Sequence, residues 1–421
     1  MYEKFKRVLN TATTRQSLVT IVSTGLNGVL GALFYFFTAR WLGPAGFGVF
    51  AVCVAIVGLL SDILDFGAQQ GTVRFVSRHR GTPAMWEFAR LGLAFKVIPG
   101  IVGFLLFIVL SGFISGPLLH RPEILPLVPI LGAGILIQML FSFSTAMAQG
   151  QERFYLWGSL FVGTNFFRLL FLVWLYYSGS FSQTPVIFLY CLIPLTGFIF
   201  SLPFFGKRLF VPWSVGRHFG EFIGFNKWVA GFVLISAFNS RLDTFLSARF
   251  LSLVEIGIYS LASQVVTILP QMTVAIGAVI SPKFASFQTK ADNLRYIRKA
   301  SLLTGGISLA GILTLIPAGW LVLHWSGSQY ASGLLPLVFL LLAMGLFMAT
   351  APLRDSLIYY FGRPDVFFWT SFLQLIVTGL GGVFLIPALG ITGAALSVFI
   401  SHFALAVVSL ISFLKINASH T

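Results

Sequence analysis

Long apolar runs, separated by short polar or basic stretches, follow one another along the whole chain. Each run holds about 20 residues, enough for a helix to cross a hydrocarbon core of about 30 Å. The runs are continuous rather than alternating, which favours helices over the strands of a membrane β-barrel. The pattern predicts an all-α polytopic membrane protein with twelve spans, at 18–39, 47–67, 90–111, 124–148, 155–177, 185–205, 227–248, 256–281, 300–323, 333–353, 367–387 and 391–413.

The charges give these spans a direction. Only 9% of the 421 residues are charged, against about 25% in soluble domains. With twelve spans, 21 of the 27 Lys and Arg residues flank one side, three flank the other and three lie within spans. The positive-inside rule then predicts a cytoplasmic-membrane protein with both termini in the cytoplasm. Because the net charge of +15 is concentrated in these short loops, it does not indicate nucleic-acid binding.

The two halves of the chain share sequence patterns. "ARWLGPAGFGVF" begins at Ala39 and "ARFLSLVEIGIY" begins at Ala248, 209 residues later, and "PLV" occurs at Pro126 and again at Pro336. Half the chain separates each pair, which predicts a duplication into six-span lobes at 1–205 and 227–421, joined by a cytoplasmic connector, 206–226. Transporters built from such repeats bind substrate at the repeat interface.

Several segments resemble one transporter family. "TARWLGPAGFGVFAVCVAIVGLLSDILDFGAQQGTVRFVS" (38–77), "RLDTFLSARFLSLVEIGIYSLA" (241–262), "SPKFASFQTKADNLRYIRKA" (281–300) and "PALGITGAALS" (387–397) are similar, in this order, to the Wzx-type polysaccharide or oligosaccharide flippases. These belong to the multidrug/oligosaccharidyl-lipid/polysaccharide superfamily. The resemblance implies two six-helix bundles around a central cavity. It also implies flipping of a polyprenyl-pyrophosphate-linked oligosaccharide by alternating access, for synthesis of surface polysaccharides such as O-antigen or exopolysaccharide.

Three basic residues lie inside the predicted spans. Arg168 and Arg241 sit about 20 Å from the cytoplasmic ends of their spans, one in each lobe. Arginine suits bidentate binding of phosphate oxygens, so both are candidates to bind the pyrophosphate. The alternative is that one or both pair with Asp243 and tie helices together. Lys96 is a third candidate; it lies six residues into its span and could snorkel back, so packing is favoured over substrate contact.

Other polar groups have two interpretations each. Asp243 is separated from Arg241 by about 200° around a helix, so we do not expect the two to pair. Asp243 is interpreted either as a residue that ties helices together, with Ser247 as one possible partner, or as a proton-coupling residue. His402 has the same two interpretations. Asp62 and Asp65 are expected to pair with Lys96, Arg74 or Arg78. The candidates for sugar contacts, each with interhelical hydrogen bonding as the alternative, are Asn27, Asn165, Asn239 and Gln264.

We expect neither a cofactor nor a metal site, and we expect that the chain is not an enzyme. Cys53 and Cys191 lie within apolar runs, and no G-x-x-x-x-G-K-[ST] motif for ATP phosphates occurs. The expected partners are the lipid-linked oligosaccharide, membrane lipids and other proteins of surface-polysaccharide assembly. A drug or cation antiporter is the first alternative. However, the charged residues deep within the spans, Lys96, Arg168, Arg241 and Asp243, carry a net charge of +2, which favours an anionic cargo. A membrane-embedded polymerase or ligase is the second, but the external loops are short.

Overall fold

The computed structural model describes residues 12–210 and 216–419, and every regular element in these ranges is helical. The main helices are α1 Ala12–Leu64, α2 Ala68–Arg78, α3 Pro83–Val109, α4 Val128–Gly150, α5 Phe154–Tyr177, α6 Gln183–Phe205, α7 Gly216–Phe250, α8 Leu253–Val266, α9 Ile268–Ser286, α10 Lys290–Ser326, α11 Leu334–Ala349, α12 Ala351–Tyr359 and α13 Pro364–Ser419. The short turns between them are Ser111–Phe113, Ile114–Leu118, Pro122–Leu127, Lys207–Phe210 and Ser328–Gly333.

Ten helical segments among the described residues are long and apolar enough to cross a membrane, where the sequence predicts twelve separate spans. The difference arises because 18–39 and 47–67 lie on one helix, α1, and 367–387 and 391–413 lie on another, α13. Each of these helices breaks at a glycine with positive φ, Gly43 (69°) and Gly390 (59°). A glycine tolerates this conformation, so the chain bends there without a loop.

Many large apolar side chains remain exposed on the helices. Trp174 on α5 is 61% exposed and Leu302 on α10 is 69% exposed. In water such surfaces would be costly, whereas in a bilayer they contact lipid.

The described residues form two compact units, which do not follow the predicted lobes at every point. The first unit comprises residues up to Thr38 and Cys53–Ala237, and the second comprises Ala39–Val52 and Phe238 onward. The segment 39–52, the first copy of the repeated motif, thus groups with the second unit.

The connector is helical from Gly216 and packs onto the first unit; residues 211–215 of the predicted connector lie outside the described ranges. Phe222 is fully buried against Phe75 and Phe88, and His218 lies 3.3 Å from the Glu87 carboxylate. The connector helix then continues into the seventh predicted span as the single helix α7.

Within the second unit, the two copies of the repeated motif touch through their backbones. A Cβ added at Gly48 would lie 2.0 Å from the Leu253 carbonyl oxygen, and a Cβ added at Gly257 would lie 2.0 Å from the Pro44 carbonyl oxygen. The Tyr330 hydroxyl, buried in the same unit, donates to the Ala39 carbonyl oxygen at 2.8 Å. The repeated glycines therefore permit a backbone approach that no side chain would allow.

The local geometry also repeats. Glu152 (φ 57°) and Gly362 (φ 64°), 210 residues apart, both adopt the left-handed conformation, and a 3₁₀ turn precedes both α4 and α11. The arginine after each, Arg153 or Arg363, donates its backbone N–H to a carbonyl of the preceding helix. These matches support the duplication that the sequence predicts.

We expect Gly257→Ala to destabilise the protein by about 2–3 kcal/mol, because the added methyl group meets a backbone oxygen that cannot rotate away. The apparent melting temperature of the detergent-purified protein should fall by roughly 5–10 °C. Gly305→Ala, on α10 with open space around its Cα, is the control and should not lower it. Equal melting temperatures for the two variants would contradict the close backbone approach.

Candidate functional site

A cavity of about 230 Å³, here called the polar cavity, opens within the first unit. The end of α1, α2 and α4 supply most of its polar groups, with single residues from α3, α5 and α7. Its lining residues are Ser61, Asp62, Asp65, Gln69, Gln70, Lys96, Gln138, Met139, Phe141, Ser142, Thr145, Phe161 and Val233.

A buried ion pair forms the floor of this cavity. Lys96, only 1% exposed, pairs with Asp65, which is 7% exposed, so pairing with Lys96 is confirmed for Asp65. The Lys96 ammonium also donates to Ser142 Oγ at 3.0 Å, and Ser142 donates to Gln69 Oε1 at 3.0 Å. Lys96 is packed inside the protein beside its counter-ion, as the packing interpretation expects, and it does not snorkel to the membrane surface. Binding of pyrophosphate by Lys96 stays a prediction.

Arg168, on α5, contacts an aromatic ring and an asparagine. Its Cζ lies 4.0 Å from the centre of the Tyr190 ring, Nη2 donates to the Tyr190 carbonyl oxygen at 2.9 Å, and Nη1 donates to Asn165 Oδ1 at 3.4 Å. Its Nε is buried without a hydrogen-bond partner. In the part of the chain that the structure describes, Arg168 has no salt bridge. The guanidinium is therefore fixed in orientation but carries no counter-ion.

Arg241 and Asp243 have different surroundings on α7. Asp243 accepts a hydrogen bond from the Tyr259 hydroxyl at 2.5 Å, and Tyr259, on α8, is fully buried. Ser247 is not the partner of Asp243, since its hydroxyl is buried without one. The half-buried Arg241 forms no hydrogen bond or salt bridge among the described residues, and it does not pair with Asp243, as its position on the helix predicts. Asp243 thus ties α7 to α8, whereas Arg241 has no fixed partner.

The first half of the chain lacks this chemistry. The positions 209 residues before Asp243 and Tyr259 are Phe34 and Phe50, both buried, and the position before Arg241 is Ala32. Apolar side chains thus stand at both positions that correspond to the carboxylate and its phenol donor. This is expected, because a buried carboxylate or phenol without its partner would be costly.

His402, on α13, is enclosed by its own helix and a neighbour. Because the Val398 carbonyl can only accept, Nδ1 carries a proton and donates to it at 2.8 Å. Nε2 then accepts from the Gln374 amide at 3.0 Å, and the ring meets Phe347 edge to face. Both ring nitrogens are satisfied in the neutral form, which suits packing better than proton transfer.

Most of the predicted polar candidates bond to other helices. Asn165 Nδ2 donates to Asn27 Oδ1 at 2.7 Å, joining α5 to α1, and Asn239 Nδ2 donates to the Ser371 carbonyl oxygen at 3.0 Å, joining α7 to α13. The Gln264 side chain makes no hydrogen bond within the described ranges. Interhelical hydrogen bonding is confirmed for the three asparagines; sugar contacts of any of the four stay a prediction.

Two aromatic partners were absent from the sequence-based candidates. Tyr190 holds Arg168, and only its place in an apolar span could have suggested it. Tyr259 holds Asp243, and here a signal exists: the second copy of the motif has tyrosine where the first has phenylalanine. Among the described residues, no group of three His, Cys, Asp or Glu side chains is placed to hold a metal ion.

Comparison with known sequences identifies the family. The sequence model described as "Polysaccharide biosynthesis protein" matches residues 13–288, about two thirds of the chain. The chain belongs to the polysaccharide biosynthesis protein family. It is 23% identical over 384 residues to the "Putative O-antigen transporter" of Shigella flexneri, covering 86% of this chain and 88% of that protein. It is also 23% identical over 401 residues to the "Lipopolysaccharide biosynthesis protein WzxC" of Escherichia coli strain K12, covering 89% and 75%.

Solved structures establish the fold of this family member. The inward closed conformation of the lipid II flippase MurJ matches with a TM-score of 0.77 at 14% identity, over 95% of this chain and 90% of that one. An inward-facing multidrug transporter of the MATE family matches with a TM-score of 0.68 at 13% identity, over 95% and 98%. The chain is therefore an all-helical, multi-pass membrane protein with a MurJ- and MATE-like fold.

We expect Asp65→Asn to destabilise the protein by about 3–5 kcal/mol, because it leaves the Lys96 ammonium buried without its counter-ion. The measurement is the apparent melting temperature in detergent. Adding Lys96→Met to Asp65→Asn should restore much of the loss. Asp365→Asn, which removes the exposed ion pair with Arg363, is the matched control and should change it little. A fall with Asp365→Asn as large as with Asp65→Asn would show that the buried pair has no special role.

Proposed function

We propose that this protein is a flippase that moves a polyprenyl-pyrophosphate-linked oligosaccharide across the cytoplasmic membrane for surface-polysaccharide synthesis. Its family and its two relatives, which are named as an O-antigen transporter and a lipopolysaccharide biosynthesis protein, support this cargo. The observation that carries the proposal is that Arg168 and Arg241 lie within apolar spans without a salt bridge in the described part of the chain. A half-buried cation inside a membrane span, without a counter-ion, favours an anionic ligand.

The proposal includes a finer architecture. We infer twelve crossings in two six-helix bundles around a central cavity, with lobes 1–205 and 227–421 and both termini in the cytoplasm. The breaks at Gly43 and Gly390 divide two apolar segments of 47 and 54 residues into two span lengths each, which accounts for twelve crossings from ten segments. The repeated geometry and the strong basic bias on one side support the lobes and the orientation.

The two arginines would bind the pyrophosphate in complementary ways. The Arg168 guanidinium lies against Tyr190 and uses only part of its donor set, so its remaining N–H groups are already oriented for phosphate oxygens. Arg241, without a partner, would reorient onto the ligand. Lys96 is a weaker candidate, because Asp65 already neutralises its charge.

Transport would proceed by alternating access of the two lobes, with the polyprenyl tail remaining in lipid. Since the chain lacks an ATP-phosphate motif, the driving force would be an ion gradient, the membrane potential or the substrate gradient. The MATE-like fold leaves cation antiport as the rival function. The carboxylates such a site would use are engaged here, Asp243 by Tyr259 and Asp65 by Lys96. Membrane polymerase or ligase chemistry has no comparable observation in its favour.

We expect Arg168→Ala and Arg241→Ala each to slow flipping by about ten-fold or more, because each removes charge-assisted hydrogen bonds to the pyrophosphate. The assay follows a fluorescent polyprenyl-pyrophosphate-linked oligosaccharide in proteoliposomes, using a membrane-impermeant quencher. Arg363→Ala, an exposed arginine paired with Asp365, is the control and should flip at the wild-type rate.

Flipping at the wild-type rate in both interior variants would overturn the assignment of the arginines. Uptake of a cationic dye without movement of the glycolipid would favour the antiporter.

A further inference from the structure

We propose that the polar cavity of the first unit binds one sugar ring of the cargo. This inference rests on the proposed function and adds a second contact region to it: the arginines would bind the pyrophosphate, and the polar cavity would recognise an uncharged, polyhydroxylated ring. Charge, hydrogen-bonding capacity and volume each support it.

The charges of the polar cavity disfavour an anion. Lys96 and Asp65 cancel at its floor, and the exposed Asp62 contributes a negative charge at its mouth. A pyrophosphate would therefore meet no net positive charge here. The Asp65 carboxylate is already neutralised by Lys96, and the charge of Asp62 is screened by its exposure, so neither holds a cation strongly. A neutral polar ligand therefore fits best.

Two glutamines on the wall have spare hydrogen-bonding capacity. The Gln138 side chain, half-buried, and the Gln70 side chain, exposed at the mouth, make no hydrogen bond among the described residues. Each amide presents two donor hydrogens and an acceptor oxygen, which together match the hydroxyl groups of a sugar. A half-buried amide without a partner gains most from a ligand that supplies one.

The remaining lining is oriented in advance and partly apolar. Lys96 is held between Asp65 and Ser142, so its ammonium is fixed in place at the floor. Phe141 and Phe161 pack edge to face at 5.8 Å and offer apolar surface to the C–H groups of a ring. Binding sites for small ligands commonly combine apolar walls with a few placed polar groups.

The volume limits the ligand to a single ring. A cavity of about 230 Å³ corresponds to seven or eight water molecules at roughly 30 Å³ each. That volume suits one monosaccharide inside the cavity, and further sugars of an oligosaccharide would extend out of it. The polar cavity would therefore select for one sugar residue while the rest of the glycan lies elsewhere.

The test compares two fluorescent lipids, polyprenyl pyrophosphate with and without an oligosaccharide, in proteoliposomes. The variants are Gln138→Ala and Gln70→Ala, and the control is Gln183→Ala, an exposed glutamine at the start of α6 outside the cavity. We expect the two cavity variants to slow the glycosylated lipid by about five- to ten-fold. The bare lipid and the control variant should keep their wild-type rates.

A second measurement does not depend on transport rates. In a Cys53→Ala, Cys191→Ala background, Gln138→Cys should react with a maleimide several-fold more slowly when the glycosylated lipid is present. The bare lipid should give no such protection. This readout also shows whether the substituted protein remains folded, because an unfolded chain would react at the same fast rate with either lipid.

The outcomes separate the two proposals. If the wild-type protein moves neither lipid, the proposed function fails. If it moves the glycosylated lipid and the cavity variants do so equally fast, only the sugar site is overturned. Equal slowing of both lipids would also overturn the sugar site. Protection of Gln138→Cys by NaCl alone would overturn it in favour of a cation site.

Discussion

The absence of water from the bilayer interior is the constraint on which this structure depends. Backbone groups there must bond within the chain, which leaves helices as the regular elements of the described residues. Side-chain groups obey the same rule: Lys96 has Asp65, Asp243 has Tyr259, and both nitrogens of His402 are bonded. Arg168 and Arg241 lie within spans without a salt bridge in the described ranges, and so does Arg354, which donates to Thr350 and to the Phe347 carbonyl near the end of its segment. Unpaired charges deep inside membrane proteins commonly mark the path of a charged substrate.

The repeated features of the two halves separate scaffold from chemistry. Features shared by the halves are structural: the glycines that let two backbones touch, the left-handed residues Glu152 and Gly362, and the 3₁₀ turns before α4 and α11. Features that differ are chemical, since Phe34 and Phe50 stand where the second half has Asp243 and Tyr259. A scaffold position changes little because backbone contact tolerates no larger side chain, whereas a buried polar pair is gained or lost as a unit.

The fold alone does not choose the cargo. A lipid II flippase and a multidrug transporter both match most of the chain at 13–14% identity. Helix packing is preserved even at such low sequence identity, whereas ligand binding depends on individual side chains. The charged residues deep within the spans, Lys96, Arg168, Arg241 and Asp243, have a net charge of +2. Including Asp65 lowers this net charge to +1, because Asp65 neutralises Lys96. The two arginines, Arg168 and Arg241, remain positively charged. Neither of them is among the lining residues of the polar cavity.

The sequence by itself determined the membrane class, the positions of the apolar segments and the separation of Arg241 from Asp243, and it predicted the duplication. Hydrophobicity, charge bias and helical periodicity are local properties of the chain, so they can be read from it directly. Tertiary structure decided which buried groups meet: that Tyr259 rather than Ser247 serves Asp243, that Lys96 points inward to Asp65, that Tyr190 holds Arg168, and that segment 39–52 packs with the second unit. These choices depend on contacts between residues distant in sequence. Residue type sets what each group requires, but only packing sets which neighbour supplies it.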